Sequence, residues 1–147
     1  MPEPTPPPPI TAITLGVRDV AASTDFYCTG LGFGLIHAVP SEITFVQAGP
    51  GLMLALWNVA SMPSEYGAVG HGSLAPPMSL GHNVADAATV QRMYDVAVAA
   101  GATSINPPTA QSWGGTSACV ADPDGFRWDF VFNPAFQVDP DGTVRGV

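Results

Sequence analysis

Side chains able to do chemistry are sparse in this 147-residue chain. The one dense stretch is Asp122-Pro123-Asp124-Gly125-Phe126-Arg127-Trp128-Asp129-Phe130. Pro123 presets φ for a turn, and Gly125 supplies the positive φ that ends it. The alternation that follows predicts a strand. Phe126, Trp128 and Phe130 fall on one face, Arg127 and Asp129 on the other. A carboxylate on the concave face of a sheet is a ligand, an acid–base group or half of an ion pair. For Arg127 and Asp129 a rim ion pair and a site role stand side by side. The remaining metal-type donors are dispersed. His37, His71 and His82 share no ligand spacing, and Cys28 and Cys119 form no C-x-x-C pair and read as two buried thiols.

Two alternations of strand and helix must position these groups. Residues 1–9 hold six prolines and read as an extended, disordered leader. A strand over 10–17 leads to a helix from Val20 to Leu31, capped by Asp19 and ended by Gly30 and Gly32. Strand-like runs follow at 34–39, 42–48 and 51–58. Residues 59–76 are rich in Ser, Gly and Pro and read as a linker able to cover a site. The pattern then returns: a strand at 77–84, a helix over 87–100 capped by Asp86, and strands at 102–106, 115–121 and 126–132. From 135 to 147 the chain reads as a surface-bound or loose tail.

The halves echo each other in sequence. Val17-Arg18-Asp19-Val20 returns as Val84-Ala85-Asp86-Ala87, and at that spacing Tyr27 meets Tyr94 and Gly34 meets Gly101. Leu54-Ala55-Leu56-Trp57-Asn58 answers Asp129-Phe130-Val131-Phe132-Asn133 at a slightly longer spacing. The fold class is α+β: two tandem βαβββ modules, 10–58 and 77–134.

Composition narrows the partners. Charged residues make up 11% of the chain, with four arginines, no lysine and a formal charge of −8. This argues against nucleic acid and anionic membrane surfaces as partners. No apolar run is long enough to span a bilayer and no signal-peptide pattern opens the sequence, so the expected location is cytoplasmic.

The ordered motifs resemble the vicinal oxygen chelate superfamily, the glyoxalase, bleomycin-resistance and extradiol-dioxygenase group. The carrying residues are Leu15-Gly16-Val17-Arg18-Asp19-Val20, Phe26-Tyr27, Gly30-Leu31-Gly32-Phe33, Gly81-His82-Asn83-Val84, Trp113-Gly114-Gly115, and Asp122-Pro123-Asp124-Gly125 with Trp128-Asp129. The resemblance spans roughly 10–134 and implies mixed sheets that curl into a cup, a ligand bound inside it and a homodimer. It also implies metal ligands on the first and last strand of each module, at Ala12, Leu54, Ser79 and Asp129. Only Asp129 is a credible ligand, so no metal and no cofactor are expected. A His37, His71 and Asp129 cluster would need the linker to fold over the cup.

Facing then selects a ligand set. Leu54 shares a face with Leu52 and Leu56 and makes one half of the cup apolar, opposite Arg127 and Asp129. Thr14 has the parity of Ala12, and Asn83 that of Ser79. Phe45, Gln47 and His37 lie on strands that can line the cup, and Trp113 can serve as an aromatic lid. Trp57 and Trp128 are expected to pack against the helices. The leading expectation is a metal-independent protein that binds an aromatic or polyketide-like small molecule. Its task is sequestration, as in antibiotic self-resistance, or natural-product tailoring. An acidic chain suits a cationic or neutral ligand. The alternative is a metal-free isomerase, cyclase or lyase with Asp129 as general base. A metal-dependent glyoxalase-like lyase or dioxygenase comes third.

Overall fold

A computed structural model describes residues 1–147. In the first module β1 (Ala12–Val17) leads into α1 (Val20–Thr24). The Asp19 carboxylate caps that helix, accepting from Ala22 N at 3.0 Å. The helix then widens into a π-type turn over Asp25–Gly30, so the single helix expected here is two pieces. Hairpins join β2 (Gly34–Val39), β3 (Ile43–Gly49) and β4 (Leu52–Asn58), and β4 returns parallel to β1. The sheet order is β1-β4-β3-β2. A 3-10 turn at Val59–Ser61 and the short α2 (Pro63–Tyr66) begin the connection to the second module.

That module repeats the plan. It runs through β5 (Ser79–Asn83), α3 (Ala87–Ala99), β6 (Thr103–Ala110), β7 (Thr116–Ala121) and β8 (Arg127–Phe132), in the order β5-β8-β7-β6. Asp86 caps α3 through Thr89 N at 2.7 Å. The fold is therefore α+β, two βαβββ units in tandem, as the repeat implied. β9 (Phe136–Val138) and β10 (Val144–Gly146) form a hairpin, fastened by Arg145 Nε donating to Asp139 Oδ2 at 2.6 Å.

Both modules feed one core. Leu15, Val17, Val46, Leu54 and Leu56 of the first sheet pack with Leu80, Val120, Trp128 and Phe130 of the second, around Phe26, Tyr27, Val90 and Ala97. Gly30 allows the helical segments to approach. A Cβ there would collide with Ala100.

A polar clasp sits inside this apolar junction. The Asp122 carboxylate accepts from Tyr27 Oη at 2.6 Å, and Tyr27 Oη accepts from Trp128 Nε1 at 3.0 Å. The other Asp122 oxygen accepts from the Asp124 and Phe126 amides, both at 2.9 Å, which closes the turn before β8. Beside it Asp124 Oδ1 accepts from Arg18 N at 2.8 Å. The end of β1 and the helix after it are thus tied to the β7–β8 turn of the other module.

The register corrects two expectations. Leu54 is 1% exposed and belongs to the helix-side core, not to the cup. Leu56 lies in the same core, and Leu52 shares their face. Side chains alternate along a strand, so Met53, Ala55 and Trp57 take the concave face. Trp57 accordingly packs edge-on against Tyr66 and donates to Glu42 Oε1 at 2.8 Å, instead of lying against the helices. Trp128 does lie there, 6.0 Å from the Tyr27 ring and 5.9 Å from Phe33.

Candidate functional site

The concave face follows from the two parallel pairings. In the first module Ala12 and Thr14 stand opposite Met53 and Ala55; in the second, Ser79 and Gly81 stand opposite Arg127 and Asp129. Two residues past the partner of Ala12 is Ala55, and two past the partner of Ser79 is Asp129. Ala55, not Leu54, is therefore the structural counterpart of Asp129.

Two cavities flank the junction. The larger, about 710 Å³, is bounded by Thr14, Gly16 and Arg18 of β1 and its end, by the segment 69–76, by Thr103 and Ile105 of β6, and by the turn 121–127. Gly16 has no side chain because Met62 and Val59 press on that face of β1. The segment 69–76 forms part of the wall, and His71 meets Phe126 edge-on at 6.0 Å. His71 Nε2 is buried without a hydrogen-bond partner. The smaller cavity, about 280 Å³, lies on the helix side between the sheets. Ile13, Leu52, Leu54, Met93, Trp128 and Phe130 make it apolar, and Ser79 and His82 border it. Burial holds the His82 imidazole below its ordinary pKa.

The ligand residues read from the sequence do not converge. Thr14 and Arg127 line the larger cavity, Leu54 and Ser79 the smaller. His37 stands opposite Phe45 in the β2–β3 pairing and is exposed. Gln47 spends its amide on the Gly49 and Leu52 carbonyls of its own hairpin. Asn83 is half-buried at the end of β5. Trp113 folds back over Gly115, where a Cβ would have no room, and lines neither cavity. Asp129 is half-buried across from Cys119 and borders neither cavity. Burial, and then the Asp129 charge, push the Cys119 thiol up, so it stays protonated. Arg127 and Asp129 form no salt bridge; Arg127 Nη1 instead donates to Gly125 O at 2.9 Å. Arg18, Ser73 and Thr103 around the larger cavity were not singled out from the sequence; His71 was, but in a cluster with His37 and Asp129 that the fold does not assemble. Their convergence depends on the path of 69–76, which carries no periodic signal.

Comparison with known proteins fits this architecture. The family model for the glyoxalase/bleomycin resistance protein/dioxygenase superfamily matches residues 10–130. The chain belongs to this superfamily. A glyoxalase-related enzyme from Fulvimarina pelagi is 36% identical, with a TM-score of 0.83 over 93% of this chain and 96% of that one. A superfamily protein from Nocardioides is 25% identical, with a TM-score of 0.70 over 88% and 86%. A lactoylglutathione lyase from Agrobacterium tumefaciens, 22% identical over 88% and 96%, shares the fold with a TM-score of 0.67. Among curated proteins no relative matches. No helix is long and apolar enough to cross a membrane.

The metal-ligand positions that the resemblance implies fall on Ala12, Ser79 and Asp129, with the Asp129 counterpart in the first module at Ala55 by register rather than at Leu54. Two of the four have no donor atom and a third has only a hydroxyl. Nowhere does the chain gather three His, Cys, Asp or Glu side chains able to hold an ion. The donor set does not fit the superfamily's divalent metal.

Proposed function

We propose that this superfamily protein binds a small organic molecule without a divalent metal, in the cavity walled in part by residues 69–76. The carrying observation is the donor set: alanines at both first-module positions, Ser79 and Asp129 at the others. The cavity of about 710 Å³ has room for a drug-sized ligand, and it pairs apolar walls at Val59, Met62 and Phe126 with polar groups at Thr14, Ser73 and Arg127. An aromatic or polyketide-like compound fits that mixture. Sequestration or tailoring of such a compound is the corresponding task. A homodimer accords with the exposed edge strand β2, where Leu35 is 59% and Ile36 49% exposed. The two free cysteines suit a reducing compartment.

Native mass spectrometry with metal analysis of the same sample tests this reading. The expected result is a two-chain mass carrying an organic compound that survives chelator treatment. A stoichiometric divalent metal, with ligand lost when it is stripped, overturns the reading.

A second reading, metal-free catalysis with Asp129 as general base, requires a substrate that extends beyond the larger cavity along the concave face, where this half-buried carboxylate has no ion-pair partner. Asp129→Asn separates the two. Retained affinity with turnover lost by about a hundredfold or more supports a base; unchanged affinity and no turnover in either form supports binding alone.

A further inference from the structure

Two of the four arginines in this acidic chain line one cavity. Arg18 is neutralised: its guanidinium lies 3.6 Å from the buried Asp124 carboxylate. Arg127 is not. It is half-buried on the cavity wall, and no carboxylate lies within salt-bridge distance of it. One of its nitrogens is held by Gly125 O, which fixes the planar fork and leaves the rest of it without a partner. A half-buried guanidinium without an ion-pair partner is free to take one, and its geometry matches the two oxygens of a carboxylate. On the same lining His71 Nε2 is a ring nitrogen out of water with nothing to bond. The only carboxylates on the lining are already engaged, Asp122 by Tyr27 and two amides, Asp124 by Arg18.

We propose that the ligand is an organic acid whose carboxylate is held by Arg127, with His71 completing the site. This deepens the binding reading above and rests on it. The net charge of −8 points towards cationic or neutral ligands only at long range. Within the cavity the nearest unpaired charge decides, because low dielectric strengthens short contacts and the exposed carboxylates are screened. The apolar walls exclude a bare inorganic anion as the best fit and call for a hydrophobic body behind the carboxylate.

Isothermal titration of the full chain with 2-naphthoate and with its neutral amide, 2-naphthamide, reads the charge directly, while NMR of the His71 imidazole reads the location. The expected result is that naphthoate binds about tenfold more tightly and that both compounds shift the His71 resonances. Arg127→Gln should erase the preference and leave naphthamide binding unchanged, and Arg127→Lys should restore part of it. Equal affinity of the two compounds in the wild type, or a preference that survives in Arg127→Gln, overturns the carboxylate anchor but spares the cavity. Absence of binding by both, or binding that leaves His71 unmoved, overturns the cavity reading itself. Unchanged thermal unfolding of the variants confirms that folded protein was compared.

Discussion

Asp122→Ala should cost about 3–5 kcal/mol of folding stability. Three donors converge on that carboxylate: Tyr27 Oη and the amides of Asp124 and Phe126. Truncation strands all three inside the protein. Each stranded donor forfeits its bond and its hydration, which is the expensive direction of the asymmetry. Tyr27→Phe removes one partner and leaves Asp122 and Trp128 Nε1 short, so about half that loss is expected. Asp122→Asn keeps an oxygen for the two amides and should be milder still. Urea unfolding checks the series. The midpoint should fall in the order Asn, Phe, Ala with the slope unchanged. Equal midpoints for wild type and Asp122→Ala would show that the clasp contributes nothing.

The same residue gives a pH signature. Burial raises the Asp122 pKa above the ordinary carboxylate value, with smaller opposing contributions from its hydrogen bonds. The native state therefore binds this proton more tightly than the unfolded chain does. For this group, stability falls as pH rises from the unfolded pKa through the native one, and stays lowered above it. The gap between wild type and Asp122→Asn should accordingly widen as pH drops from neutral through the carboxylate range. A gap that narrows there would reverse the sign.

The clasp also marks the limit of what could be read from the sequence. Asp122 was legible as the first residue of a turn, because Pro123 and Gly125 specify one locally. Its bond to Tyr27 was not legible, since the two lie far apart in sequence and nothing in either motif announces the other. The repeat was legible because two capping aspartates and two closing strands recur, and each is a local signal. Facing was legible wherever alternation was anchored by an unambiguous pair, as for Arg127 and Trp128. It failed in β4. There Leu52-Met53-Leu54-Ala55-Leu56 is apolar on both faces, so hydrophobicity could not set the phase. Matching Leu54 to Asp129 slipped the strand by one residue, and in a strand one residue inverts the face. The larger cavity was invisible for a different reason. Part of its wall, 69–76, is a path through space without a period, and only the fold brings His71 against Phe126.

The slip itself can be tested, because adjacent residues of β4 now have opposite fates. Leu54→Ala should cost about 3 kcal/mol, since the side chain is 1% exposed and packs in the shared core beside the smaller cavity. That void prevents the neighbourhood from closing fully over the lost atoms, which keeps the cost away from the low end of such truncations. Met53→Ala removes a side chain of similar size from the concave face, where it is half-buried, and should cost about 1 kcal/mol or less. Any ligand in the larger cavity should bind both variants as it binds the wild type, since neither side chain lines that cavity. Chemical unfolding of the two variants gives the stabilities, and titration of the same samples gives the affinities. Equal stability losses, or the larger loss at Met53, would return β4 to the opposite phase and put Leu54 back in the cup. A large loss at Leu54 with unaltered affinity fixes the phase as described: leucines towards the helices, and Met53, Ala55 and Trp57 towards the concave face. With that phase, the residue that faces the cup at the Asp129-equivalent position is an alanine, and the first module has no metal donor there to lose.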